Sequence, residues 1–440
     1  SVLRQLIAHI GDDAFVAGVG EYLRSHAFGN GELAEFIAAI EDAAGRSLTA
    51  WSAAWLQTAG ADRIALEGDV LTRRAPADHP ADRPHTLDVA AFADGREVAR
   101  VDLVVSGDRT SVPGLADVPT GALVVPNASD LTWAEVALND ATIDALPGNL
   151  ADVPDASARS VLWVSLLGSV ARGEVDPRTV LSVFVAAWPR EDSAAVLSRV
   201  SLLMTNQVLP LFLPPGEQEG ARARIADAAD ALLERSAAVA GVSGDALAVL
   251  AARVWARTGV DEDRLRRWAA GDGIPEVLVG DDDFRWSVLR RLATLGVLGD
   301  DEIEAAEAAD RSLAGSLAAL GVRAVRPTAQ AKEWAWGRLR DDAELSNYAA
   351  LAIAGGFWTA PDAALLRPYV AQVGDLLVGL SGRMGDDAVS RVVSAMHPTS
   401  LVEDGALEAS NAVLARGDLT PGVRRALVDA NHELREALAS

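Results

Sequence analysis

Cysteine is absent from all 440 residues, which excludes disulfide staples, a thiolate nucleophile and Cys-ligated zinc within the chain. Lysine is almost absent: Lys332 stands alone against many arginines, a bias of genomic base composition with no mechanistic content. Cationic stripes are missing as well. The 39 Lys and Arg face 63 Asp and Glu, a formal charge of −24, and no basic run exceeds its acidic neighbours. A groove that neutralises phosphates is therefore excluded, and with it a nucleic-acid partner. No uncharged apolar run reaches the ~20 residues of a membrane helix. P-loop, dinucleotide-loop, GxSxG and kinase signatures are absent too.

What remains is ample for a packed core: 50% of residues are apolar and 23% charged, so disorder is excluded, and the length allows about two to four domains. The acidity and lack of cysteine fit a cytoplasmic enzyme. Ser1-Val2-Leu3-Arg4-Gln5-Leu6 reads as an amphipathic helix already under way, with no initiator Met, N-cap or targeting signal before it. The expectation is the C-terminal part of something larger.

The hydrophobic period divides the chain into three. Residues 1–60 are helical: Phe15, Val19, Tyr22 and Leu23 share a face that Asp12 can cap, Leu33, Phe36, Ile37 and Ile40 form a second stripe ended by Gly45, and Trp51 and Trp55 lie one turn apart. Residues 61–148 alternate. His85 to Phe92, the turn Asp94-Gly95 and Glu97 to Val105 predict a hairpin, and Ile64 to Leu71, Leu123 to Pro126 and Trp133 to Leu138 predict further strands of a small antiparallel β-sandwich. Residues 149–440 return to helical spacing, including single helices over Ile303 to Leu320 and Asp362 to Leu380. Many helices joined by short Gly, Pro and Asp links predict stacked α-hairpins, a HEAT-like α-solenoid, in preference to a bundle. The fold class is thus mainly α with a small β-sandwich.

The chemistry-bearing residues are few. His9 and His26 sit near apolar helix positions with no second ligand one turn away, which predicts packing. His79 and His85 fall in a Pro-rich connection expected to be solvated. His432-Glu433-Leu-Arg-Glu436 is one residue short of the HExxH zinc helix, since Glu436 stands where the second imidazole is needed. Asp281-Asp282-Asp283 lacks the alternating ligands of an EF-hand and is expected to serve a helix N-terminus. Asn127-Ala-Ser129 matches a glycosylation sequon, a pattern common by chance. Trp334 and Trp336 cannot share a helix face, so one is expected inside and the other at a surface or cavity.

Several segments, taken in order, carry a resemblance. Ser1 to Leu6 and Ile7 to Gly11 are followed by Asp13-Ala-Phe15, Tyr22-Leu, His26, Gly29-Asn30 and Leu33. Then come Gly45-Arg-Ser-Leu-Thr-Ala-Trp51, Trp55-Leu56 and Ala59-Gly60. Further on stand Arg83-Pro84-His85, Val125-Pro-Asn127-Ala-Ser-Asp-Leu-Thr132, Asp283-Phe-Arg285-Trp286, Ala331-Lys332-Glu-Trp334 and Asn347-Tyr348 with Gly356-Phe357-Trp358. The ordered set resembles the C-terminal two-thirds of an M1-family zinc aminopeptidase of the actinobacterial aminopeptidase N type. The resemblance implies three domains: the helical end of a gluzincin catalytic domain (1–60), a β-sandwich (61–148) and an ERAP1-like C-terminal α-solenoid (149–440).

The resemblance also implies a parent enzyme that removes N-terminal residues from peptides, with zinc held by HExxH and a downstream Glu, a G-A-M-E-N segment for the free amine, and the tyrosine of Y-x-K-G-A at the oxyanion. None of these elements matches a position here, so no catalytic and no metal residue is carried over. The expected partners are peptide substrates and the missing N-terminal and catalytic domains, with no membrane. In the family the helical domain closes over the active site, which makes Lys332, Trp336, Asn347 and Tyr348 the candidates for the substrate cavity. Two competing readings stay open. One is a stand-alone scaffold whose β-sandwich and solenoid bind a protein without catalysis. The other, a self-sufficient hydrolase, needs a nucleophile or metal cluster that the sequence does not offer.

Overall fold

Alternation and turn chemistry place the strands. Among residues 2–440, which the computed structural model describes, β1 (Asp62–Glu67), β2 (Val70–Arg74), β3 (His85–Ala93), β4 (Arg96–Val105), β5 (Arg109–Ser111), β6 (Leu123–Pro126) and β7 (Ala134–Ala137) form two sheets, ordered β5-β2-β1-β7 and β4-β3-β6. Ser1, the first residue of the expected opening helix, lies outside the described residues. Asp94 and Gly95 take φ of 50° and 70°, the left-handed pair that a two-residue hairpin loop requires. Ile64, Leu66 and Leu71 of one sheet share a core with Leu87, Val89 and Val105 of the other, as a sandwich must.

Two strand expectations are corrected. Ile64 to Leu71 is two strands, turned at Gly68 with φ 65°. The sandwich is also not wholly antiparallel, because β1 and β7 run parallel with Ile64 opposite Val136. The chain passes through the second sheet before it returns to β1, and so long a crossover can deliver a parallel partner.

The opening helices are Val2–Ile10, Asp12–Ser25, Leu33–Ala44 and Thr49–Leu56. They enclose Leu6, Ile37, Ile40, Leu48, Trp51 and Trp55. Gly45 ends the third helix in the left-handed conformation at φ 65°. Asp12 does not cap the second: Gly11 holds the cap position at φ 90°, and Asp12 and Asp13 complement the dipole from the first turn. The outer surface leaves Leu3, Val16, Leu23, Phe28 and Leu33 exposed. After β7 come Asp140–Asn149 and Ala156–Ala171, and the first compact unit ends at Ser169.

The second unit, Val170–Ser440, is helical throughout its regular structure. Helices Val242–Thr258, Asp282–Thr294, Leu313–Val325, Asn347–Phe357, Asp386–Met396 and Pro421–Ala439 pack each against the next as one layer. Glu262–Ala269, Asp300–Ala309, Ala329–Asp341, Val373–Ser381 and Asp404–Leu414 form the second, which is the α-solenoid arrangement. Two expected long helices are broken. The first stops at Ala309 and restarts at Leu313, where Ser312 accepts from Gly315 N. The second is divided into Ala363–Leu365, Arg367–Val370 and Val373–Ser381. A further helical run, Ala194–Phe212, has the length and composition of a membrane span, but it contains Arg199 and packs on Pro215–Ser236 and Val242–Thr258.

The layer closes most tightly where helices Leu313–Val325 and Asn347–Phe357 meet. A Cβ built on Gly356 would lie 2.7 Å from the Gly321 carbonyl oxygen and 3.0 Å from the Ala324 Cβ. Backbone cannot yield as a flexible side chain does. Gly356→Ala is therefore expected to cost about 1–3 kcal/mol, seen as a lower urea midpoint with an unchanged m value.

Candidate functional site

The second unit brings two of the four cavity candidates together and sets the other two apart. Lys332 and Trp336 lie one turn apart on Ala329–Asp341, and both are buried. Lys332 Nζ donates to the carbonyls of Ala324 (2.8 Å), Thr359 (2.8 Å) and Gly356 (3.3 Å). Two of these carbonyls belong to the last turns of adjacent helices, whose negative dipole ends attract a cation. Burial and the neighbouring Arg290 pull this ammonium down to about 7. Trp336 packs against Phe357 and Tyr369, with ring centroids 5.4 and 4.9 Å away. Trp334 is the outer member of the tryptophan pair, beside the Arg338 guanidinium. Asn347 and Tyr348 stand exposed on the first turn of Asn347–Phe357, and Ser346 caps that helix through Ala349 N. Tyr348 lies within electrostatic reach of Arg391.

Arg391 lines an open groove of about 440 Å³ between helices Asp386–Met396 and Pro421–Ala439, with Asp386, Asp387, Arg425 and Asp429. Its charges are largely engaged. Arg391 pairs with Asp387 at 2.5 Å, and Asp386 accepts from Thr420 Oγ1 and Gly422 N.

In the first unit the polar centre is Asp62, fully buried on β1. It takes Arg73 (2.9 Å), Arg83 and His85 Nε2 (3.0 Å), while His85 Nδ1 meets Thr132 Oγ1 at 2.8 Å. A neutral imidazole satisfies this arrangement, donating to Asp62 and accepting from Thr132. Burial pushes the His85 value down. Burial also opposes ionisation of Asp62, but bonds from His85, Arg73 and Arg83 outweigh it and hold the carboxyl below its usual range. The Asp–His–Thr order has the connectivity of a hydrolytic triad, yet all three groups are closed to solvent and no substrate can reach the hydroxyl. Arg83 also donates to the carbonyls of Ala54 and Ala59 and to Thr58 Oγ1, which makes the centre a fastening between helix Thr49–Leu56 and the sandwich.

His85 is thus no solvated loop residue. It opens β3 with its ring buried, and only His79 of that pair is exposed. His397, overlooked in the sequence, is also buried. Its Nε2 faces Asn431 Oδ1 (2.8 Å) and Ser410 Oγ (3.1 Å), and burial lowers its value. The His-Pro-Thr run after a helix end was its one sequence signal. The sequon Asn127 is buried at φ 58°, and its amide bonds Leu131 N and the backbone of Thr132. A glycan has no access to it. Asp281 caps its helix through Phe284 N at 2.8 Å, as the acidic run predicts.

The zinc that the resemblance implies finds no ligand set among the described residues. Among the described residues no group of three or more His, Asp or Glu side chains is placed to hold a metal ion. His432 faces Glu436 at 3.4 Å as an i,i+4 pair on an outer face.

The family model of the ERAP1-like C-terminal domain matches residues 123–436. Aminopeptidase N of Streptomyces lividans is 29% identical over 459 residues, covering 100% of this chain and 53% of that protein. The crystal structure of Legionella pneumophila aminopeptidase A in complex with aspartic acid shares the fold, with a TM-score of 0.66 at 13% identity over 98% of this chain and 55% of that one. The chain spans about half the length of these relatives. With its strand β6 and nearly all the helices that follow inside the matched range, this chain belongs to the ERAP1-like C-terminal domain family.

Proposed function

We propose that this chain is the C-terminal region of a cytoplasmic zinc aminopeptidase that releases N-terminal residues from peptides. In this reading it covers and shapes the active-site cavity and supplies neither a catalytic residue nor a metal ligand. The observation that carries it is the likeness to aminopeptidase N, which extends over the whole chain. Residues 1–60 then complete the catalytic domain, 61–148 form the sandwich and 149–440 the covering solenoid. The partners are the catalytic part of the enzyme and its peptide substrates, with no nucleic acid and no membrane. Asn347 and Tyr348 have the accessible groups to meet a peptide, while Lys332 and Trp336 hold the helix that presents them.

The test has two arms. The purified chain with Zn²⁺ is expected to leave an aminoacyl-p-nitroanilide intact; turnover that co-purifies with the chain would remove the claim that it lacks catalytic residues. The coding sequence upstream of the Ser1 codon is expected to carry HExxH, its downstream Glu and Y-x-K-G-A in frame. A start codon adjoining Ser1 would overturn the parent enzyme and leave a protein-binding scaffold.

The same reading makes a local prediction. Leu3, Val16, Leu23, Phe28 and Leu33 are exposed on the opening helices, apolar area of the kind that a partner surface covers. Amide hydrogens of residues 2–33 are expected to exchange faster than those of the Trp51–Trp55 turn in the isolated chain. Uniform strong protection across 2–56 in a monomer is the opposing result.

A further inference from the structure

Lys332 holds the only ε-amine in 440 residues, and the fold encloses it completely. Its three N–H directions are taken by three backbone carbonyls, of Ala324, Gly356 and Thr359. The Phe357 ring lies 5.7 Å from Nζ. These carbonyls come from two different helix ends and the residue pair beyond the second, so no side-chain rotation frees the amine. Release requires the Ala329–Asp341 helix to part from the ends of Leu313–Val325 and Asn347–Phe357. Arginine cannot substitute in this chemistry, because its guanidinium stays protonated and is not a nucleophile at neutral pH.

We propose that Lys332 makes every lysine-directed modification of this chain conditional on opening of the 329–359 segment, so that acylation or isopeptide tagging marks only molecules whose solenoid has come apart there. The co-reactant is a thioester or another activated acyl group. The Nζ lone pair attacks the acyl carbon, a C–N bond forms, the C–S or C–O bond breaks, and the thiolate or alkoxide leaves. The proton from nitrogen passes to solvent. Every part of this step needs Nζ clear of its enclosure, since an activated acyl carbon cannot reach an amine that the fold closes to solvent, whatever its protonation state. Once opened, the amine returns to ordinary lysine reactivity. This makes the site a reporter of local integrity, independent of whether the parent protein is a peptidase.

The experiment uses the whole chain and an N-hydroxysuccinimide acetate ester, read by peptide mass spectrometry. Glu333 is exposed beside Lys332 on the same helix, and Glu333→Lys places an accessible amine there as an internal standard. The expected result is acetylation of the introduced lysine at the rate of Nα-acetyl-lysine amide. Lys332 in the same molecules reacts at least about 100-fold more slowly, and the difference disappears in denaturing urea. Comparable rates at the two positions in folded protein, with unchanged far-UV circular dichroism, overturn the proposal. Should Glu333→Lys fail to fold, the unaltered chain with free Nα-acetyl-lysine amide in the same tube gives the same comparison, with the same deciding outcome.

Discussion

Asp62→Ala is expected to destabilise the first unit by about 3–5 kcal/mol, the cost of breaking a buried charge network by removing one partner. The cost comes from the charges left behind. Arg73 and Arg83 are both buried, and His85 is closed to solvent beside them. Without the carboxylate two guanidinium groups face each other across a dry cavity. Arg73 keeps Asp82 and Asp108, at 3.0 and 3.6 Å, but both carboxylates stand in water and screen poorly. Urea unfolding followed by Trp51 and Trp55 emission reports the loss, because Arg83 binds the end of their helix. Asp82→Ala is the control: it removes an exposed partner of the same arginine and is expected to cost less than about 1 kcal/mol. Equal losses from the two variants would show that burial of Asp62 carries no special weight.

The acid limb follows from the same centre. The folded values of Asp62 and His85 both lie below their ordinary ones, so in both cases the unfolded chain binds protons more readily. Each group therefore contributes stability that is lost as pH falls: His85 first, below its unfolded value of about 6.5, then Asp62, below about 3.9. In Asp62→Ala the lower part of that limb is expected to flatten.

Much of this architecture was legible in the residues, and the failures have physical causes. Strands of the hairpin were explicit because alternation and the Asp94-Gly95 turn agree. β5 was invisible: Arg109–Ser111 is short and polar, and it is a strand only because β2 offers it an edge. Helix Glu262–Ala269 was missed because charge dominates it and only Leu265 and Trp268 are buried, too few to show a period. The break at Asp310 escaped because apolar spacing continues across it, while the Asp310 carboxylate is engaged by Trp286 Nε1 and Ser312 N. Asn347 and Tyr348 were nominated together with Lys332 and Trp336 by resemblance, which cannot distinguish an inward from an outward side chain. The fold decides that through helix phase, with Lys332 and Trp336 one turn apart on the packed face and Tyr348 at an exposed helix start. Buried polar centres were the least visible of all. Asp62 and His85 are separated by 23 positions, and nothing local says that a sheet will bring them within 3.0 Å.

Lys332→Met should lower the stability of the second unit by about 2–5 kcal/mol at pH 8–9, and the loss should grow with pH. Methionine fills the space, so no cavity term enters. What is lost is the donor set: at pH 8–9 the neutral amine donates through two N–H to the carbonyls of Ala324, Gly356 and Thr359, and each buried carbonyl left unsatisfied costs about 1–3 kcal/mol. Against this stands relief of the amine's own desolvation, which keeps the net effect below the sum. The pH dependence has a definite sign. In the folded chain the ammonium titrates at about 7, against about 10.4 when unfolded. Between these values the unfolded state binds the extra proton, so the wild-type unit gains stability as pH rises from 7 towards 10, by at most about 1.4 kcal/mol per pH unit. The variant lacks this slope. Paired denaturation curves at pH 6, 8 and 9, read through Trp336 and Trp358, are expected to diverge with increasing pH. Parallel curves would place the amine's folded value near its unfolded one, and the carbonyl cage would then be holding a charge at no cost, through the dipoles of two helix ends alone.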